Sequence, residues 1–341
     1  MRRREFLESA GLAVLGGLVG PRAWADASTG SPPRSLLVHS LRPENLATPV
    51  AWFDRLLTPT DVFFVRSHFG APAVVREGRI RVEGLVRRPL DLGPSDLEAL
   101  PQVKLTAVLQ CAGNGRALIE PRVPGVQWLH GAMGQATWTG VRLRDLLERA
   151  GVTSEALHVG LRGADLPPKP SVPSFQRSIP LQRAMEETTL VALSMNGTPL
   201  PHAHGGPFRL VVPGWAGNHW MKWLSSVRPQ VEEAQGFYMQ TGYRLPKTPV
   251  TPGAAVPPES TLPLTTFPVK SVIARPAHGS RLPRGPQEIV GVAFSGEAPI
   301  SRVEVSVDGG ATWREAALSG EPGIGRWQIF RLAFDAPPGP V

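Results

Sequence analysis

Val103-Lys104-Leu105-Thr106-Ala107-Val108-Leu109-Gln110-Cys111-Ala112-Gly113-Asn114-Gly115-Arg116 is the stretch from which the fold is read. Leu105, Ala107, Leu109 and Cys111 recur at every second position, so they share one face of an extended chain and predict a strand over 103–111. The strand ends on the one cysteine of the chain. Gly113 and Gly115 follow, and residues without a Cβ let the backbone approach a ligand closely. Arg116 is near enough to favour a thiolate, which is a soft ligand for a transition metal. A single cysteine also serves as a small apolar core residue. The local sequence leaves both readings open.

Outward from this strand, Leu143, Leu146, Leu147 and Ala150 fall at helical spacing, and Gly151 marks a helix stop. Residues 156–161, 190–195 and 208–212 read as further strands. The helices are short and do not alternate regularly with strands, which predicts an α+β fold rather than a doubly wound one. Residues 26–45 read as an irregular lead-in. Pro246, Pro249, Pro252, Pro257, Pro258, Pro263 and Pro268 crowd residues 246–268, a composition that sustains neither a helix nor a central strand and reads as a linker. Beyond it, runs at 269–274, 288–294, 301–307 and 327–334 have β character, with Asp308-Gly309-Gly310 as a hairpin turn between two of them. These predict a small immunoglobulin-like β-sandwich over 269–341, with about five strands where roughly seven complete such a domain. The run Pro337-Pro338-Gly339-Pro340-Val341 makes a truncated sandwich the expectation. No internal repeat interrupts this order.

A length of 341 residues suits about two domains. Hydrophobic residues make up 42% and charged residues 19%, the balance of a globular chain. The net charge is +8, and the basic residues are spread with no run of five, which argues against a nucleic-acid arm and allows anionic substrates or an acidic partner. One cysteine excludes an internal disulfide, a covalently attached c-type haem and an iron–sulfur cluster held by this chain alone. Dinucleotide, Walker and serine-elbow glycine motifs are absent, which weakens nicotinamide, nucleotide and serine-hydrolase readings.

Residues 1–25 read as an export signal: Arg2-Arg3-Arg4 ahead of Glu5-Phe6-Leu7, a mild apolar stretch from Ala10 to Val19, and Ala23-Trp24-Ala25 as a cleavage site. The apolar part is too short to span ~30 Å of hydrocarbon. Arg-Arg-x-Phe-Leu with a glycine-weakened apolar region resembles a twin-arginine signal. That route implies a folded, cofactor-loaded passenger delivered to the periplasm. Without its four Arg and two Glu the chain carries +6. No later segment is apolar enough to form a stable membrane span.

Downstream, His202-Ala203-His204-Gly205-Gly206-Pro207-Phe208-Arg209 places two histidines on one face of an extended chain. Zinc needs a third ligand, and none lies near. His204 and Arg209, with Lys222 from Trp220-Met221-Lys222-Trp223, are instead suited to hydrogen-bond an anionic cofactor beside a glycine-rich turn.

Six blocks, in order, resemble the sulfite oxidase family of molybdopterin enzymes: Phe63-Phe64-Val65-Arg66-Ser67-His68; Leu109-Gln110-Cys111-Ala112-Gly113-Asn114; Gly125-Val126-Gln127-Trp128 with Gly131-Ala132; Trp138-Thr139-Gly140-Val141-Arg142-Leu143; the His204–Arg209 block; and Val212-Pro213-Gly214 leading to Lys222-Trp223-Leu224. The resemblance covers about residues 48–243 and extends weakly into the β region. It implies a mixed-sheet molybdopterin-binding domain over 26–245 followed by a β domain of dimerisation type. Cys111 matches the family's molybdenum ligand, Arg66 and Arg116 its anion-binding arginines, Tyr243 its active-site tyrosine and Trp128 an aromatic wall of the substrate pocket. His68 matches a histidine at the cofactor and anion pocket, and His204, Arg209 and Lys222 match pterin and phosphate contacts.

The resemblance further implies oxidation of sulfite to sulfate by oxo transfer at molybdenum. Electrons would leave singly to an external acceptor such as cytochrome c, and a homodimer is a partner it allows. Fixed arginine charge suits a small sulfur anion. Oxidation of sulfane sulfur, or reduction of a sulfoxide or other oxo compound on the same cofactor, is the alternative. A non-catalytic binding protein on the same fold is the reading from another class. Two departures stand out. Asn114-Gly115-Arg116 occupies a place where many relatives carry two arginines, and no haem domain is fused to the chain.

Overall fold

A computed structural model describes residues 35–73, 78–251 and 253–336. The export-signal reading of 1–25 and the terminal 337–341 lie outside the described residues. Two sheets enclose the main core. In the first, the strands run in the order Thr198–Pro199, Leu190–Met195, Met133–Arg142, Val103–Gln110, and Arg209–Val211 pairs with Leu190–Met195. Val103–Gln110 pairs antiparallel with Met133–Arg142 along its whole length, from Val103 opposite Gly140 to Gln110 opposite Met133. Gly140 is required by close approach, since a Cβ there would lie 2.0 Å from the Val191 carbonyl oxygen of the next strand.

The second sheet runs Leu90–Leu92, Ile80–Val82, Leu224–Gln230, His158–Gly163, Gln176–Pro180. Ile80–Val82 pairs parallel with Leu224–Gln230 and the other pairs are antiparallel, so the sheet is mixed. Ile80, Val159 and Val227 of this sheet meet Ala107, Trp138 and Val191 of the first in one apolar cluster. The helix Leu143–Ala150 buries the four apolar residues that predicted it, and Gly151 closes it at φ +69°. The architecture is the expected α+β.

The β region forms a sandwich of a four-stranded sheet, ordered Lys270–Arg275, Gly285–Phe294, Gln328–Ala336, Ala317–Ser319, and the two-stranded pair Glu304–Val305 with Arg314–Glu315. Asp308-Gly309-Gly310 does form a turn, with φ +69° and +92° at the glycines. The strand it leads to is Arg314–Glu315, which the sequence reading lacked because two residues carry no periodicity.

One further expectation gives way, and the linker gains detail. From residue 35, where the described part begins, the lead-in is not irregular: Leu37–Leu41 and Glu44–Ala47 form a hairpin, and Val65–Arg66 adds a third strand. Four of the five residues of Leu37–Leu41 are exposed, so no alternation marked it. The proline-rich stretch over 246–268, read as a linker, carries backbone pairing of its own. Arg244–Pro246 and Thr261–Pro263 pair as a ribbon. Ala216 N–H donates to Thr265 O at 2.7 Å, and Phe267 N–H to Gly214 O at 3.2 Å. In a two-stranded ribbon every strand is an edge, so a proline without an N–H is tolerated.

Phe267 and the sandwich residues Val290, Phe294 and Trp327 share a second cluster with Phe53, Val108 and Met133. The outer half of Val103–Gln110 is therefore buried on both faces, where alternation alone predicted one. Trp327 is the anchor: its backbone N–H donates to Gln135 Oε1 at 2.7 Å and its indole N–H to Leu56 O at 2.9 Å. Trp327→Ala is expected to cost about 3–5 kcal/mol, the range for truncating a buried aromatic. A denaturant midpoint that does not move would contradict this packing.

Candidate functional site

A cleft of about 700 Å³, open mouth included, lies where the ends of several of these strands converge. Seven of the nine residues singled out from the sequence line it: Arg66, His68, Cys111, His204, Arg209, Lys222 and Tyr243. Cys111 sits one residue past Val103–Gln110, and its N–H still donates to Ala132 O at 2.9 Å. The thiol is free, and Gly113 N–H approaches its Sγ at 3.5 Å. Asn114 staples the turn, with its Oδ1 accepting from Ala132 N–H at 3.0 Å.

Arg66 Nη1 donates to Asn45 Oδ1 at 3.1 Å and to the Ser67 carbonyl, so the lead-in hairpin helps hold this guanidinium. Lys222 Nζ donates to Ser67 Oγ at 2.8 Å and Ala203 O at 3.0 Å. Desolvation, then repulsion from Arg209, holds its ammonium well below the usual lysine range. Arg209 is buried between Trp138 and Trp220, 5.3 and 6.0 Å from their ring centroids. It donates to His204 O and Trp220 O, its Nε has no partner among the described residues, and burial brings its pKa down to about 9. Burial, then Arg209, presses His204 down to about 3, so this imidazole is neutral.

Tyr243 Oη lies 2.6 Å from His68 Nε2. Burial first, then Arg66, Lys222 and Arg177, keeps His68 well below the ordinary histidine value, so this imidazole is neutral where it meets the phenol. Burial raises the Tyr243 phenol, with Arg66 the largest opposing influence. His68 stacks on Phe175 at 4.3 Å. Asp165 is the one carboxylate among the described residues lining the cleft, and burial raises it too.

Arg116 and Trp128 do not line the cleft. The Arg116 guanidinium lies between Gly113 and Gly125, where a Cβ would come within 2.6 and 2.4 Å of it, and Nη1 donates to Val126 O at 3.0 Å. Its charge still reaches Tyr243. Trp128 is fully buried, its Nε1 has no partner among the described residues, and His39 of the lead-in hairpin meets its ring edge-on at 4.6 Å. The hairpin covers it, and a sequence that looked like an irregular lead-in gave no sign of that.

Arg177, His219, Phe175, Tyr238 and Asp165 border or line the site and were not singled out from the sequence. For Arg177 a signal existed: in Gln176–Pro180 it shares strand parity with the fully buried Ile179.

Among the described residues no three His, Cys, Asp or Glu side chains cluster as a metal site. A metal in this cleft would have to arrive with ligands of its own. The donor set fits such a group. One free thiol opens onto a wall of Arg66, Arg209 and Lys222 set against a single carboxylate, and Arg209 Nε is a buried, unpartnered donor. A soft sulfur ligand beside concentrated positive charge suits a transition metal on a polyanionic carrier.

Residues 68–238 match the oxidoreductase molybdopterin binding domain, and 262–328 match the Mo-co oxidoreductase dimerisation domain. Human mitochondrial sulfite oxidase is 36% identical over 319 residues, covering 89% of this chain and 58% of that one. Sulfite oxidase of Arabidopsis thaliana is 35% identical over 324 residues, covering 90% of this chain and 81% of that one. This chain thus spans little more than half the length of the human relative. The crystal structure of the sulfane dehydrogenase SoxCD from Paracoccus pantotrophus superposes with a TM-score of 0.76 at 29% identity, covering 96% of this chain and 84% of that one.

Proposed function

Because the chain belongs to the sulfite oxidase family of molybdenum-dependent oxidoreductases, we propose that it oxidises sulfite to sulfate and passes the electrons singly to a separate, cytochrome-type acceptor. The observation that carries this reading is the free Cys111 thiol at a strand end, facing a cleft whose charge is almost all positive. In the proposal Cys111 is the protein ligand of molybdenum, and His204, Arg209 and Lys222 hold the pterin and its phosphate, with His68 at the same pocket. When bound, the cofactor supplies the oxygen atom and takes up the electron pair. The chain binds and orients. Arg66 offers a planar donor fork to the anion, and Arg116 adds positive field from behind its glycine slot. Tyr243 keeps a proton at its Oη, shared with His68 Nε2 at 2.6 Å. Trp128 serves the substrate pocket as packing beneath the hairpin. The expected export through residues 1–25 to the periplasm, and a homodimer through the β domain, belong to the same proposal.

Sulfane-sulfur oxidation is the second reading, favoured by the likeness to SoxCD over nearly the whole chain. Metal analysis of holoprotein, with sulfite and a sulfane-sulfur donor assayed against ferricyanide, separates the two. Molybdenum with sulfite turnover supports the first. Molybdenum with turnover of the sulfane donor alone selects the second.

A pH experiment probes Tyr243. Its raised phenol stays protonated until the pH passes the ordinary tyrosine value of 10.0, so loss of this proton contributes no rate decline below that point. Tyr243→Phe should slow turnover at all pH values with molybdenum retained. A wild-type basic limb near neutral pH that vanishes in Tyr243→Phe would refute the protonation assignment.

A further inference from the structure

We propose that Arg177 is a positioning residue of the cleft, acting on the reaction through Tyr243. The proposal rests on the sulfur-oxidation reading. Arg177 is fully buried in Gln176–Pro180, and among the described residues it forms no ion pair: Glu233, the carboxylate that acts on its charge, is paired with Arg244 instead at 3.8 Å. Its Nη1 donates to the Tyr238 carbonyl. Its Nη2 lies 2.9 Å from His219 Nε2, and with the Asn218 amide turned it also reaches that side-chain oxygen at 3.1 Å. Its guanidinium carbon is 5.7 Å from the Tyr243 ring centroid. Its Nε has no partner among the described residues.

A buried cation with no carboxylate in contact is costly, Glu233 acting on it only from beyond ion-pair distance, and neutral donors could meet the carbonyl, imidazole and amide oxygen that it bonds. The charge therefore calls for a further reason, and Tyr243 supplies one. Tyr243 sits at φ +57°, a conformation that bulky side chains rarely adopt and that persists only where its surroundings enforce it. The short helix Phe237–Gln240 leads into it, closed by Gly242 N–H donating to Phe237 O at 2.7 Å. On the far side, Leu264 N–H of the proline-rich strap donates to Tyr243 O at 2.8 Å. Arg177 braces the near side twice, at the Tyr238 carbonyl and at the Tyr243 ring. With both sides held, the phenol is aimed at His68 Nε2. Removing the guanidinium frees the turn to relax toward an unstrained backbone and swings the hydroxyl off His68.

The test uses holoenzyme with Arg177→Met and Arg177→Lys, each alone and combined with Tyr243→Phe. Molybdenum content, KM and kcat for sulfite are measured. Arg177→Met is expected to lower kcat between about tenfold and a hundredfold, the scale of a misplaced reacting group, with molybdenum content and KM nearly unchanged. In the Tyr243→Phe background the same substitution should do nothing more, because the hydroxyl it positions is gone. Arg177→Lys keeps the cation but not the fork, and gives the same comparison if the methionine variant does not fold. An unchanged kcat, a loss of molybdenum in both variants, or a kcat loss that multiplies in full with that of Tyr243→Phe would overturn the proposal. If wild-type holoenzyme does not oxidise sulfite, the function reading fails and the positioning role is read from a crystal structure of the variant. A Tyr243 Oη to His68 Nε2 separation beyond hydrogen-bond reach upholds it, and an unchanged 2.6 Å overturns it.

Discussion

Cys111→Ser is expected to reduce sulfite turnover by roughly a thousandfold or more while leaving the fold in place, the pattern of a group on which all the chemistry depends. The swap exchanges one small atom at a half-buried position where Sγ receives a single long contact from Gly113 N–H. A hydroxyl can take up that contact, so the stability change should stay within about 1 kcal/mol. What serine cannot supply is a soft, readily ionised sulfur. Molybdenum analysis, X-ray absorption at the metal edge and a melting curve together check this. Undiminished turnover, or an absorption spectrum of the wild type with no sulfur contribution lost on substitution, would remove Cys111 from the metal.

Arg66→Gln is the second large effect. The side chain is held by Asn45 Oδ1 and the Ser67 carbonyl, so its orientation survives in an amide only in part. The substitution removes a permanent charge and the donor fork from the cleft wall. A hydrogen bond to a charged group contributes about 1.5–3 kcal/mol. At about 1.4 kcal/mol per factor of ten, kcat/KM for sulfite should fall by roughly ten- to a hundredfold. The loss should appear mainly in KM, and rising salt should weaken the wild type more than the variant. Equal KM values for the two would mean that Arg66 does not meet the anion.

The elements that could be read from the sequence were those with a strong apolar period and full burial on the predicted face. Leu190–Met195 and Leu143–Ala150 have the bounds that their spacing implies. The hairpin at Leu37–Leu41 escaped notice because its residues are mostly exposed, and an exposed strand need not alternate. The pairing within the linker over 246–268 is not legible in the sequence, because proline content reports what a backbone cannot do, not what it packs against. Arg177 was overlooked because an arginine on a strand is ordinarily a surface residue, and only the parity with Ile179 argued otherwise.

What the sequence determined by itself is the local inventory: one thiol at a strand end, the glycines behind it, the histidine and arginine block, and the ordered blocks that mark the family. What only the tertiary structure decided is which of these meet. His68 and Tyr243 lie 175 residues apart along the chain and share a hydrogen bond, whereas Trp128, 17 residues beyond Cys111, is turned under a hairpin out of the cleft. Period and propensity report how each segment presents itself to its nearest layer. The meeting of segments depends on sheet pairing and on contacts across layers, which local spacing does not encode.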